Sequence, residues 1–295
     1  MPVLVLLFLA VAGGTLTAFL ASRYPTPLIG QEPSEAASEM LAEEAAKRPW
    51  LRRTLASRLD PQTATGLALT LALGLAIVGG LLVGILAFLM RSSATLVSVD
   101  NSAGQWGVNH ATSWSTHAIQ LVTDLGGTWF VIALGVVVCV VEYVRVPNRW
   151  IPFFLLTVLL GEVVLVNSIK ELLHRVRPTF NPIAETLGPS FPSGHSATAA
   201  AFYAAVALVV ARRRSPRVRS LLAGAAVAIA IGVAASRVLL GVHWLSDVVA
   251  GLAFGWGWFA ICAIAFGGRF LSFGEPAEKA VRAAERSEAR SAPTR

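Results

Sequence analysis

Residues 221–267 read LLAGAAVAIAIGVAASRVLLGVHWLSDVVAGLAFGWGWFAICAIAFG. Two apolar runs, 221–235 and 248–267, flank a polar insert that holds Arg237, His243 and Asp247. About 17 to 25 apolar residues cross the hydrocarbon core of a bilayer, and the shorter run can lengthen by a turn at its polar end. Because backbone groups in lipid must bond within their own segment, both runs are expected to be helices. The stretch therefore predicts a membrane-spanning helical pair with ionisable residues between its helices.

The rest of the chain repeats this pattern. Hydrophobic residues make up 55% of the sequence and charged residues only 14%, whereas a soluble domain carries about 25% charged residues. This composition excludes a disordered chain, and two cysteines in 295 residues exclude a disulfide-stapled secreted module. Four more apolar stretches complete a six-helix core: 66–90, 128–144, 151–167 and 197–211.

Residues 1–22 form a seventh uncharged stretch. A signal peptide needs a basic segment before its apolar run, and nothing basic precedes Arg23. We therefore predict an all-α membrane protein with a six-helix core and an extra N-terminal transmembrane helix. The predicted domains are the N-terminal helix 1–22, a linker 23–65 with acidic and amphipathic basic helices, the membrane domain 66–267 and a charged tail 268–295.

The positions of the basic residues predict the orientation. The net charge is +7, which by itself could indicate a nucleic-acid partner. Nineteen of the 24 lysines and arginines, however, lie in segments that the helix count places on one membrane side, and an excess of such residues marks the cytoplasmic side. This topology excludes a nucleic-acid footprint and predicts a cytoplasmic C-terminus. Five basic residues are left on the outer side: Arg91, Lys170, Arg175, Arg177 and Arg237.

Two polar clusters on that outer side could bind an anion. Lys170 and Arg177 are seven residues apart, so on a continuous helix they would share one face. The alternative for this pair is snorkelling to lipid headgroups. Ser193 and Gly194 precede an Ala-rich span, where a helix N-terminus presents free N–H groups and a hydroxyl to an anion, with His195 in the first turn. The alternative is an ordinary serine cap and an interfacial histidine.

The third cluster adds an oriented histidine. His243 and Asp247 are four residues apart, so in a helix the carboxylate can bond one ring nitrogen and leave the other as a nucleophile. An ordinary capped pair is the alternative. Arg237 adds a third cation, and Gly241 permits close backbone approach. Together the clusters supply what phosphoryl transfer needs. Zinc is a further alternative, but the cations would repel the metal, so no metal or cofactor is expected.

These residues resemble the three-part signature of the type 2 phosphatidic acid phosphatase (PAP2) superfamily. The layout of 66–267 resembles the six-helix core of that family, including the run 121–127. The three parts are Lys170-(six residues)-Arg177-Pro178, then Pro192-Ser193-Gly194-His195, then Ser236-Arg237-(three)-Gly241-(one)-His243-(three)-Asp247.

The resemblance implies a role for each matching residue. His243 would form a phosphohistidine while Asp247 holds its tautomer, and His195 would protonate the leaving group and then activate water. The phosphoryl oxygens would be bound by Lys170, Arg177, Ser193, Gly194 and Arg237. No metal would be needed.

We therefore expect a lipid phosphatase in a bacterial cell membrane, with a site that faces outward. Its substrate would be a lipid phosphate or pyrophosphate, of the phosphatidate, phosphatidylglycerol phosphate or polyprenyl pyrophosphate type. A lipid phosphotransferase with the same intermediate is one alternative. The other is a transporter or binder that holds the lipid phosphate without cleaving it, a role that needs cations but no oriented imidazole. Glu162, inside a span, is expected to make a buried interhelical hydrogen bond, with a role in proton transfer or substrate binding as the alternative.

Overall fold

The computed structural model describes residues 1–23, 74, 77–81, 83–90, 92–145, 147–180, 188–212 and 214–270. The predicted linker from residue 24 onward, the tail from 271, and residues 66–73, 75, 76 and 82 of the predicted span 66–90 lie outside these ranges. The described residues 1–23 and 77–262 belong to one compact unit, which contains every site residue discussed below. Gly74 and residues 263–270 belong to a second unit. The helices are α1 (Pro2–Arg23), α2 (Ala94–Asn109), α3 (Ser113–Asp124), α4 (Thr128–Arg145), α5 (Trp150–Leu173), α6 (Gly194–Ala211), α7 (Pro216–Leu239) and α8 (Leu245–Phe270).

Six of these helices are long and apolar enough to cross a membrane: α1, α4, α5, α6, α7 and residues Leu245–Phe266 of α8. The segment Ile77–Met90 is also helical and is bent by 88° from α2; the two together would make a seventh span. Helices α6 and α7 extend beyond the apolar runs at their polar ends, as expected. The structure confirms the all-α membrane fold with an additional N-terminal apolar helix.

Helix α6 forms much of the core of the compact unit and packs against α4, α5 and α7. Its alanines let neighbouring helices approach closely, and Gly251 and Gly255 of α8 use this space. A Cβ atom on Gly255 would lie 2.3 Å from the carbonyl oxygen of Ala197, and one on Gly251 would lie 2.6 Å from that of Ser193. The first turns of α8 are therefore held directly against the first turn of α6.

Helix α1 packs along α7. A Cβ atom on Gly14 would lie 2.8 Å from the carbonyl oxygen of Gly224, so only glycine fits at this crossing. Near the N-terminal end of α1, Leu6 is buried in a cluster with Ile119 of α3 and Leu239 of α7. The N-terminal helix is thus part of the packed unit.

Helices α2 and α3 occupy most of the segment between the first two predicted core spans. Ser93 caps α2 by accepting a hydrogen bond from the Leu96 N–H, at 3.3 Å, and Thr112 and Ser115 form a capping box at α3. A Cβ atom on Gly107 would lie 2.7 Å from the Leu239 Cα. Helix α2 therefore lies against the end of α7, immediately before the segment that carries His243.

Candidate active site

The first predicted cluster forms in a different way from the one expected. Helix α5 ends at Leu173, because His174 adopts a left-handed conformation with φ 45°. Lys170 therefore lies in the last turn and Arg177 in the irregular segment that follows, so the expectation that they share a helix face is wrong. The two side chains still come close enough to interact electrostatically. Lys170 and Arg177 are therefore brought together by the turn of the chain at His174, not by the spacing of residues along a helix.

Arg177 lies beside the ring of His243. Its Nη1 donates to the Val242 carbonyl oxygen at 3.0 Å and to Nε2 of His243 at 3.1 Å. Its other donors reach the carbonyl oxygens of Gly188 at 2.9 Å and Pro189 at 3.3 Å. Half-burial lowers the pKa of Arg177, an effect that the Asp247 carboxylate opposes. The guanidinium is thus fixed next to the nitrogen predicted to be the nucleophile.

His243 lies in a turn between two helices. Helix α7 ends at Leu239, Gly241 takes a left-handed φ of 68°, and α8 begins only at Leu245. The expectation that His243 and Asp247 pair within one helix is therefore only half right. The bond itself forms, with 3.3 Å between Nδ1 of His243 and Oδ2 of Asp247, and both side chains are buried. Left-handed φ favours glycine, which explains Gly241 at this turn.

Burial also sets the protonation of His243. It lowers the pKa of the imidazole from its ordinary 6.5 to about 4, against the opposing effect of the Asp247 carboxylate. The ring is therefore neutral at pH 7. With a proton on Nδ1 facing Asp247, the lone pair lies on Nε2, where the Arg177 guanidinium donates to it.

Helix α6 starts where the sequence predicts, at Ser193 and Gly194. The hydrogen-bond donors predicted for an anion are only partly free. Ser193 occupies the cap position, and its side chain makes no capping bond. Its hydroxyl accepts from Oγ of Ser196 at 2.9 Å, and its N–H donates to the Asp247 carbonyl oxygen at 3.0 Å. That N–H is therefore not a free anion donor. A Cβ on Gly194 would lie 3.8 Å from Nζ of Lys170, so the α6 start adjoins the first cluster.

Arg237 and His195 complete the group. Nη1 of Arg237 donates to Oγ1 of Thr123 at 3.1 Å, while its buried Nε has no hydrogen-bond partner among the residues that the structure describes. A buried guanidinium donor without a partner is costly unless an anion completes it. His195 interacts electrostatically with Arg237, His243, Lys170 and Arg177. The structure thus brings all three predicted clusters together.

Several polar residues around Asp247 escaped the sequence prediction. The carboxylate accepts hydrogen bonds from the hydroxyl of Ser190, the N–H of Trp244 and the guanidinium of Arg175. Arg175 also donates to Asp100, from α2. One signal was available in the sequence, because Arg175 is one of the five cations predicted on the outer side and lies within the first motif without an assigned role.

Other predicted features have simple outcomes. Glu162 accepts a hydrogen bond from Oγ1 of Thr198 at 2.9 Å, which confirms the expected interhelical bond between α5 and α6. The zinc alternative lacks a ligand set, since no three His, Cys, Asp or Glu side chains within the described ranges are arranged to hold a metal ion.

Fold and site together define a helical membrane protein with a buried histidine–aspartate pair among three cations. The family model for the PAP2 superfamily matches residues 151–270. Phosphatidylglycerophosphatase B of Bacillus subtilis is 30% identical over 163 residues, which cover 54% of this chain and 78% of the relative. The chain belongs to the PAP2 superfamily.

Two further relatives and one solved structure agree with this assignment. Lipid A 1-phosphatase of Rhizobium etli is 39% identical over 38% of this chain, and that of Rhizobium johnstonii is 38% identical over the same share. The matches span about half of these two relatives, 48% and 46% of their lengths. The crystal structure of a transmembrane PAP2-type phosphatidylglycerolphosphate phosphatase from Bacillus subtilis superimposes with a TM-score of 0.60 at 28% identity, covering 63% of this chain and 92% of that one.

Proposed function

We propose that this protein is a membrane lipid phosphatase that hydrolyses the terminal phosphate of a lipid phosphate or pyrophosphate. The observation that carries the proposal is the neutral, buried imidazole of His243, with Nδ1 bonded to Asp247 and Nε2 facing a guanidinium. A site that only bound lipid phosphate would need the cations but not this oriented ring. The relatives named above, which carry the names of lipid phosphatases, support the same class of substrate.

In the proposed first step, Nε2 of His243 attacks the phosphorus atom. The bond from phosphorus to the leaving-group oxygen breaks, its electron pair stays on that oxygen, and protonated His195 supplies the proton. Lys170, Arg177 and Arg237 would stabilise the charge on the three other phosphoryl oxygens. Arg177 must exchange its bond to Nε2 for one to an oxygen as the phosphate enters. Asp247 keeps its bond to Nδ1–H and stabilises the cationic phosphohistidine.

In the second step, His195 takes a proton from water, whose oxygen attacks the phosphohistidine. The bond from phosphorus to Nε2 breaks, the electron pair returns to the ring, and inorganic phosphate leaves. Both histidines then have their starting protonation. We further propose that the site faces away from the cytoplasm, because the positive-inside rule places the loops rich in Lys and Arg on the opposite side.

The test uses the purified full-length chain in mixed vesicles that contain phosphatidate, phosphatidylglycerol phosphate, lipid A or a polyprenyl pyrophosphate. Wild-type protein is expected to release phosphate from at least one of these lipids and to trap ³²P on His243 when quenched rapidly. His243→Gln should abolish both signals. His117→Gln should change neither, because His117 is exposed on α3 and bonds only within its own helix in the described structure.

Two outcomes would contradict the proposal. Phosphate release by His243→Gln at the wild-type rate would refute the phosphohistidine mechanism, and binding of every lipid without phosphate release would favour a non-catalytic binder. A phosphotransferase would reveal itself if ³²P appeared on an added lipid alcohol instead of in inorganic phosphate.

A further inference from the structure

Arg175 lies between two buried carboxylates that come from different parts of the chain. Its Nη1 donates to Asp247 and, at 2.8 Å, to Oγ of Ser246, while its Nη2 donates to Oδ2 of Asp100 at 2.8 Å. The carboxylates of Asp247 and Asp100 are 0% and 2% exposed. The guanidinium carbon also lies 5.5 Å from the centre of the Trp244 ring. One guanidinium therefore forms ion pairs with two buried carboxylates.

Asp100 connects this cation to the start of α8. Its Oδ1 accepts from the Ser246 N–H at 2.9 Å, and its Oδ2 accepts from the Ser246 hydroxyl at 2.6 Å. Asp100 belongs to α2 and lies outside the residues 151–270 that match the family model. The same short segment of α8 is thus held through Ser246 by Asp100 and through Asp247 by Arg175.

The two oxygens of Asp247 have different partners. Oδ2 accepts from His243, the Trp244 N–H and Ser190, whereas Oδ1 accepts from Arg175. A guanidinium on Oδ1 keeps the carboxylate from rotating, so that Oδ2 stays in line with the ring nitrogen of His243. It also withdraws negative charge from the carboxylate, which weakens Asp247 as an acceptor for His243.

We propose that Arg175 is a positioning residue for the His243–Asp247 pair, and that Asp100 controls how strongly the charge of Arg175 acts on that pair. This inference rests on the proposed phosphatase function and adds two residues to its machinery. Arg175 acts through Asp247, and its Nη1 and Nη2 atoms donate to protein atoms. Removing it should therefore slow the chemical step more than it weakens substrate binding.

The charges around His243 give the two residues opposite signatures. The groups that interact with its ring are Asp247, Arg177, Arg237 and His195. Arg175→Gln removes a cation from Asp247, so the carboxylate becomes a stronger partner for the imidazolium of His243. The acid limb of the pH–rate profile should therefore move to higher pH. Asp100→Asn removes an anion from Arg175, so the positive charge of Arg175 acts more strongly on Asp247. The acid limb should therefore move to lower pH.

The experiment measures kcat, KM and the acid limb with one substrate for every variant, so that the ionisation of the substrate cancels. For Arg175→Gln we expect kcat to fall by about 10- to 100-fold with KM changed by less than about threefold, and slower phosphohistidine formation in a single turnover. Arg175→Lys keeps the charge and should recover part of kcat with an acid limb near wild type. Glu171→Gln removes an exposed anion at the end of α5 and serves as the matched control for Asp100→Asn.

Wild-type kcat in Arg175→Gln, or acid limbs that move in the same direction in Arg175→Gln and Asp100→Asn, would overturn the inference. If Arg175→Gln does not fold, the acid limb of Asp100→Asn tests the inference alone. A shift of that limb to lower pH supports the inference, and no shift overturns it. Failure of the proposed function would look different, because wild-type protein would then release no phosphate and carry no label on His243.

Discussion

At the scale of single residues, His243 combines deep burial with a carboxylate partner, and burial has the larger effect. The pKa of its imidazole falls from the ordinary 6.5 to about 4. The folded state therefore resists protonation that the unfolded chain accepts. The contribution of His243 to stability is complete above pH 6.5 and is lost as the pH falls from there through about 4.

The same shift predicts the pH dependence of the reaction. Only neutral His243 can attack phosphorus, so the acid limb of kcat/KM should have its midpoint near the pKa of about 4, while loss of the His195 proton, which the first step also needs, sets the alkaline limb. The measurement is a pH profile of kcat/KM, corrected for the second ionisation of the substrate phosphate, which a ³¹P NMR titration gives separately. A corrected midpoint near 6.5 would mean that the imidazole titrates like an exposed histidine.

At the scale of elements, the helices could be predicted from the sequence, but the end of α5 and the turn before α8 could not. The apolar runs set the positions of α4 to α8 well, because length and lack of charge suffice to specify a span. The end of α5 was missed because Val176, four residues after Leu172, continues the apolar pattern past His174, where no glycine or proline marks the stop. His174 itself is exposed, and it is the residues after it that make long-range contacts, Arg175 with Asp247 and Arg177 with His243, which sequence periodicity does not report.

The packing of α8 on α6 predicts opposite changes in melting temperature for two glycine-to-alanine substitutions on α8. Alanine favours a helix over glycine by about 1 kcal/mol, so Gly257→Ala, where an added Cβ meets nothing within 4 Å, should be neutral or raise the melting temperature. Gly255→Ala gains the same helix propensity but places its Cβ 2.3 Å from the Ala197 carbonyl oxygen. Such overpacking costs about 1–3 kcal/mol, so its melting temperature should fall.

Gly255→Ala should also lower phosphate release, because α8 carries Asp247 against the start of α6. Thermal unfolding in detergent, followed by tryptophan fluorescence, measures the first effect, and the phosphate assay measures the second. Equal melting temperatures for the two variants would show that α8 can move away from α6 without cost.

At the scale of the whole molecule, the sequence predicted which motifs converge but not what supports them. Positively charged motif residues on one membrane face led directly to Lys170, Arg177 and Arg237. The contact between Asp100 and Arg175 joins residues 75 apart in the chain, and that between Arg175 and Asp247 joins residues 72 apart. Such pairs leave no local pattern, since they join α2, the segment after α5 and the start of α8, which meet only in the folded structure.

The orientation of the molecule gives the last prediction. The positive-inside rule predicts that the connection between α6 and α7 lies in the cytoplasm and that α3 lies outside, on the same side as His243. In a chain with Cys139 and Cys262 replaced by alanine, His117→Cys on α3 should react with a membrane-impermeant maleimide on intact cells. Ser215→Cys, exposed before α7, should react only after the cells are permeabilised. If Ser215→Cys reacted on intact cells and His117→Cys did not, the site would face the cytoplasm. The proposed substrate would then have to be a lipid of the inner leaflet.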